Sequence, residues 1–221
     1  MFGAPPPVLP SASRAVPLPR RPPGPVDPGA SGRLRRWYEN ELGWPTVPGD
    51  PLRLVAGVRF DVLDVPAEAG HAALRRLGRG SPVAVRGDRM LLLVAAGSAE
   101  ELPGLLEWLE WGGLALDLGA IGPQGFMDAP LPTGAGERPG GGLTTERPGS
   151  GRLGSQGAAV WLRPPEPGCE VEASLPTLSA LGGAGDAPDL VRLVDTVATW
   201  CHRIRLRRAG AQPPASRAQG R

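Results

Sequence analysis

Lysine is absent from this 221-residue chain: all 24 basic residues are arginine. Together with abundant alanine, glycine and proline, this reads as codon bias of a GC-rich genome rather than as a functional signal. Cysteine and histidine are scarce, with only Cys169, Cys201, His71 and His202 present. Two cysteines build no disulfide framework, and this set is a poor one for zinc. A reducing cytoplasm is the expected compartment. No run of about 20 apolar residues occurs, so no membrane span is expected. Residues 1–28 lack the apolar core of about 7–15 residues that a secretory signal needs. There is no Gly-x-Ser-x-Gly nucleophile turn. No Lys-Ser or Lys-Thr follows a glycine-rich stretch, so there is no phosphate loop.

What is present is unevenly spread. Ten of the 28 prolines lie in residues 1–28, and nine of the 33 glycines lie in residues 134–157. Residues 1–32 therefore read as a disordered Pro-rich arm, residues 133–157 as a flexible Gly-rich loop, and residues 207–221 as a disordered basic tail. A single domain over 33–206 remains, long enough to bury a core. Charge is segregated as well. Residues 1–36 carry a net +5, residues 203–221 a net +6, and the body between them a net −9. An acidic body opposes a nucleic-acid interface, which needs a basic face.

Within the domain, Gly32-Arg-Leu-Arg-Arg-Trp-Tyr-Glu-Asn-Glu-Leu42 predicts a short helix, with Leu34, Trp37, Tyr38 and Leu42 on one face and Gly43 as its stop. Residues 53–65 are rich in β formers, with Phe60-Asp-Val-Leu-Asp-Val65 the best strand. Pro66 then opens a helix over 67–79. Residues 82–86 and 89–95 form a hairpin around Gly87-Asp88. Ser98-Ala-Glu-Glu101 reads as a capping box for a helix reaching Gly112. Leu114-Ala-Leu-Asp-Leu118 alternates and predicts a strand. Phe126 belongs to a short strand after it, and residues 158–162 form another. Residues 175–181 predict a short helix. A last helix runs from 188 to about 206 with Leu190, Val191, Val194, Val197, Ala198 and Cys201 as its buried stripe. The fold class is α+β, a mixed or antiparallel sheet layered with helices and closed by a C-terminal helix.

Trp44-Pro-Thr-Val-Pro48 and Phe60-Asp-Val-Leu-Asp-Val-Pro66 carry a resemblance. They are similar to the N-terminal domains of actinobacterial bifunctional DNA primase/polymerases, of the archaeo-eukaryotic primase superfamily, and most of all to a Streptomyces-type group of small relatives. The likeness covers roughly residues 37–165 and includes the hairpin, the acidic segment at Asp117 and Trp161-Leu-Arg-Pro164. It implies a primase-polymerase-like fold. It also implies a strand with two aspartates at alternate positions, which share a face and hold divalent metal beside a triphosphate. Here Asp64 takes the first acidic position and Pro66 the second. Asp61 is three residues from Asp64, so on a regular strand it faces the other way. Met90 stands where the family has a phosphate-binding histidine, and it cannot donate to phosphate. Arg86 and Arg89 either grip a phosphate or are hairpin arginines in solvent. The cysteine-rich insertion some relatives carry near Trp44-Pro45 is missing.

These departures lead to the expectation of a catalytically degenerate domain, a pseudoenzyme with a binding or regulatory role and a protein partner. No cofactor is expected in that case. One alternative is an active metal-dependent nucleotidyltransferase, with Mg or Mn held by Asp61, Asp64 and Asp117 and nucleotide by Arg86 and Arg89. Another is a nucleic-acid adaptor that uses the basic tails. Other constellations are weaker. Glu68 and His71 read as a surface pair rather than an acid/base pair. Cys201 and His202 diverge by about 100° on a helix. The tryptophans at 37, 108, 161 and 200 read as core or interface rather than base-stacking platforms, and Trp108 and Trp111 as a partner surface.

Overall fold

A computed structural model describes residues 29–131, 158–168, 170–178 and 188–211. Residues 1–28 of the expected arm, the Gly-rich loop and the far C-terminal tail lie outside the described residues, as does Cys169. The end of the arm is corrected, because the helix begins at Ala30 rather than after residue 32. Helix α1 (Ala30–Arg36) opens the described chain and runs into a π turn over Trp37–Glu41. Gly43, at φ +66°, ends it as expected. Two short strands follow, β1 (Thr46–Val47) and β2 (Arg53–Val55), then β3 (Asp61–Pro66) and helix α2 (Ala67–Ala73). The hairpin is β4 (Val83–Arg86) and β5 (Arg89–Val94), followed by helix α3 (Ser98–Trp108). Strands β6 (Gly119–Ile121), β7 (Phe126–Asp128) and β8 (Val160–Arg163) precede the long helix α4 (Leu190–Ala211).

The strands form two antiparallel sheets. The larger has the order β6-β3-β5-β4-β8, and the smaller β1-β2-β7. Alternation along β3 and β5 sends side chains to two separate cores. Leu63, Val65, Met90, Leu92 and Val94 pack against α2, α3 and α4. Val62, Leu91 and Leu93 pack against the small sheet and the α1 region. The architecture is thus three layers, with the large sheet in the middle and buried on both faces. This is why Met90-Leu-Leu-Leu-Val94 is continuously apolar. In the second core the single tyrosine, Tyr38, donates to the Pro130 carbonyl at 2.6 Å and accepts from Trp161 Nε1 at 2.9 Å. Burial pushes its phenol pKa well up, against the smaller opposing effect of the Trp161 bond. Trp161 and Trp37 therefore lie in or against the core, as expected, whereas Trp108 is 72% exposed.

Several expectations are corrected. The 98–101 capping box does not form. Gly97, in the left-handed region at φ +94°, is the N-cap, and Ser98 is already helical with no side-chain cap. The cap comes from β3, where Asp61 Oδ2 accepts from the Ala99 N–H at 2.9 Å. Helix α3 also stops at Trp108 rather than Gly112. Residues 114–118 are no strand. Leu116 N–H turns back to the Leu114 carbonyl at 2.9 Å, and pairing with β3 begins only at Gly119. The alternation there arises because Leu116 and Leu118 dip against the helix-side core while Leu114 stays exposed. The described part of 175–181 holds a bridge between Thr177 and Asp189, and the short 3-10 turn lies earlier, at Val171–Ser174. Helix α4 extends to Ala211, so Arg207 and Arg208 are helical rather than part of a tail. Among the described residues no helix is long and apolar enough to cross a membrane.

Helix α2 packs closely on β5 at Gly70. A Cβ built on Gly70 would sit 2.7 Å from Met90 Cβ. Gly70→Ala is expected to lower stability by about 1–3 kcal/mol through overpacking. Met90→Ala alone should lose about 2–5 kcal/mol through the cavity it leaves. The double variant should lose less than the sum, because truncation removes the Met90 Sδ and Cγ that the new methyl also meets and leaves only the Cβ contact. Urea unfolding of the four proteins measures this coupling.

Candidate functional site

The register of the middle sheet brings the sequence-predicted site residues to one end of it. Pro66 lies opposite Arg89, Asp64 opposite Leu91, and Arg86 opposite Arg89. Asp64, Arg86 and Arg89 therefore project from the same face, the one toward the small sheet. Arg89 Nε donates to Asp64 Oδ1 at 2.7 Å, and its Nη2 donates to the Asp64 backbone carbonyl at 2.7 Å. Its Nη1 donates to Asp117 Oδ1 at 2.6 Å. All three guanidinium nitrogens are thus engaged. Arg86 Nη2 reaches Asp64 Oδ2 at 3.3 Å, and its Nη1 lies 3.8 Å from Asp128 Oδ2. Arg208 of α4 lies 3.6 Å from Asp117 Oδ2. Three arginines and three aspartates from separate elements form one charge-balanced network.

Arg89 is the hub. Its side chain is 22% exposed and that of Asp64 19%, against 48% for Asp117. Burial pulls the Arg89 pKa down. The hydrogen bonds and charges of Asp64 and Asp117 outweigh that, and the pKa is raised overall. A guanidinium is in any case permanently charged at physiological pH. Beneath the network Cys201 Sγ points at the Asp117 carbonyl at 3.5 Å. Burial, with help from the Asp117 charge, pushes this thiol up to about 11.

Asp61 does not join the network. It lies on the other face of β3, is fully buried and caps α3 through Oδ2. Its Oδ1 has no hydrogen-bond partner among the described residues. The set Asp61, Asp64 and Asp117 therefore does not converge on one point. Both Asp64 oxygens already face guanidinium nitrogens, and no group of three potential metal ligands occurs among the described residues. As placed, these residues do not fit a divalent ion. Met90, at the position of the family's histidine, is fully buried on the helix side and does not face the network. Arg86 and Arg89 are ion-paired to carboxylates.

Sequence reasoning missed Asp128 and Arg208. Asp128 closes a three-residue strand that pairs with β2. Arg208 falls in the stretch expected as a disordered tail, whereas it lies on α4 and meets Asp117. Glu68 pairs with Arg207 rather than with His71. His202 lies beside Trp111 with the rings tilted by 53°, at 5.9 Å between centroids. A cleft of about 430 Å³ shares Asp128 with the network and is lined by Leu34, Leu52, Ala129 and Leu131, so it is largely apolar. Comparison of the chain with protein-family models, curated proteins and solved structures finds no match.

Two outcomes follow from this geometry. Arg89→Met should destabilise the protein by about 1–3 kcal/mol, because it removes charge-assisted bonds to two carboxylates. Arg89→Lys should recover only part of that loss, since one ammonium cannot serve three acceptors in a plane. Denaturant titrations of the two variants test both statements. Separately, Cys201 should resist alkylation at pH 8 in the folded protein and react after urea is added. Peptide mapping reads this residue directly.

Proposed function

We propose that this chain is a catalytically degenerate primase-polymerase-like domain with a binding or regulatory role. The observation that carries the reading is the position of Arg89. Its guanidinium joins Asp64 to Asp117, the two carboxylates that in an active relative would face metal and triphosphate. A built-in cation neutralises them, and its charge cannot be titrated away at physiological pH. Two features support the same reading. Pro66 replaces the second acid of the strand, and Met90 is used for packing against Gly70. The metal-dependent alternative requires Asp61 to turn to the opposite face of β3 and lose its bond to the α3 N-terminus. The nucleic-acid adaptor alternative loses part of its basic end, because Arg207 and Arg208 pair with Glu68 and Asp117. What remains is a three-layer scaffold with a binding or regulatory role.

The test is thermal unfolding of the full chain with Mn²⁺, with a nucleoside triphosphate, and with both. A ligand at 100 times its dissociation constant stabilises by about 2.7 kcal/mol, which is several degrees for a domain of this size. The expected result is no shift at millimolar concentrations and no primer synthesis. A shift that needs both metal and nucleotide, abolished by Asp64→Asn, overturns the proposal.

A further inference from the structure

We infer that the exposed face of α3 is a docking surface for an arginine-bearing, acid-poor protein segment. The face shares no residue with the Arg89 network. Its centre is Trp108, which is 72% exposed near the end of the helix. Glu101, Gly104 and Trp108 follow one another along one side of the helix, at spacings of three and four. Glu100, Glu107 and Glu110 flank them, and all four glutamates are exposed. Among the described residues none of the four glutamates forms an ion pair, whereas Asp64, Asp117, Asp128 and Glu68 all face arginines. The sequence reinforces this, since no basic residue occurs between Arg89 and Arg138.

Gly104 adds an independent argument. It sits exposed in the middle of the helix, where glycine costs about 1 kcal/mol relative to alanine. A Cβ there would meet nothing within 4 Å, so nothing in the fold requires the glycine. What glycine provides at that point is a notch between Glu101 and Trp108 where another backbone can come close. A large exposed indole beside such a notch is what a recognition face has and a solvated helix does not.

Charge decides the occupant. Nucleic acid and membranes of anionic lipid are repelled by four carboxylates. A second copy presenting the same face is repelled equally. A segment carrying arginines is attracted by the glutamates, and its guanidinium planes stack on the indole. Arginine suits the surface better than lysine for the second reason.

The experiment measures fluorescence anisotropy of a labelled Arg-Pro repeat peptide, and of its Lys-Pro counterpart, against the full chain. The arginine peptide should bind more tightly than the lysine one. Trp108→Ala leaves net charge unchanged and should weaken arginine-peptide binding about fivefold, in line with a cation–π contact. Glu101→Gln and Glu107→Gln should weaken it as well, while the remote exposed Glu170→Gln should not. Gly104→Ala should raise the unfolding temperature and still weaken binding, which separates recognition from stability. The inference is overturned if Glu170→Gln acts as strongly as Glu101→Gln, or if Trp108→Ala has no effect, since binding is then only net-charge attraction. It is overturned too if removing residues 1–28 raises peptide affinity tenfold, because the chain's own arm then covers the face. A monomer–dimer change caused by Trp108→Ala in sedimentation assigns the face to a second copy and has the same consequence. None of these results depends on Mn²⁺ or nucleotide.

Discussion

The pairing of β3 with β5 holds the rest in place. Six residue pairs run from Asp61 opposite Val94 to Pro66 opposite Arg89. Both strands are central, so each residue they contribute faces one core or the other. Sliding this register by one residue would exchange the faces of all of them. Met90 would leave Gly70, and Leu91 would leave the small sheet. The same register places Arg89 beside Asp64. Packing and the charged network are therefore two results of one ladder, and the apolar burial on both faces is what makes the ladder unambiguous.

The network differs from an ordinary surface ion pair. Exposed pairs contribute little, because solvent screens them and two long side chains must be immobilised. Here the guanidinium is shielded by the end of the sheet and makes three short bonds to fixed acceptors, one of them a backbone carbonyl. Arg86 comes from the adjoining strand, so its Cα is already placed by the hairpin. The arrangement is bought by the fold rather than by flexible side chains. It also links α4 to the sheet, through Arg208 and Asp117, at a point where the helix has left the apolar core behind.

Much of the domain was legible locally. Phe60-Asp-Val-Leu-Asp-Val65 reads as a strand from its β-branched and aromatic residues, and Gly87-Asp88 marks the hairpin. The α4 stripe shows helical spacing. The opposite facing of Asp61 and Asp64 also follows from strand parity alone. What was not legible depends on contacts between distant residues. The serine of 98–101 looks like a cap because sequence shows only local acceptors, whereas the actual acceptor is Asp61, on a strand before it. Leu114, Leu116 and Leu118 alternate because a loop is anchored at two points, and alternation does not distinguish that from a strand. Arg86 and Arg89 look free to hold a phosphate until the register sets a carboxylate beside them.

The net charge of the body acquires a meaning only after these pairings are made. Asp64, Asp117, Asp128 and Glu68 face arginines of the hairpin and of α4. Arg205 bonds the Ala115 carbonyl, and Arg203 lies over the Trp200 ring. At the exposed end of α4, Arg207 and Arg208 thus each meet an acid of the body and partly offset its charge. Among the described residues the glutamates of helix α3 have no such ion pair, and no basic residue occurs in the 48 positions between Arg89 and Arg138. An uncompensated anionic face around an exposed indole is a poor way to stabilise an isolated domain, since like charges along a helix repel. It becomes favourable when the missing positive charge arrives on another chain. The same scaffold that neutralises its carboxylates at Arg89 leaves those of α3 unpaired among the described residues, and that contrast is the physical ground on which we assign recognition to α3 rather than to the network.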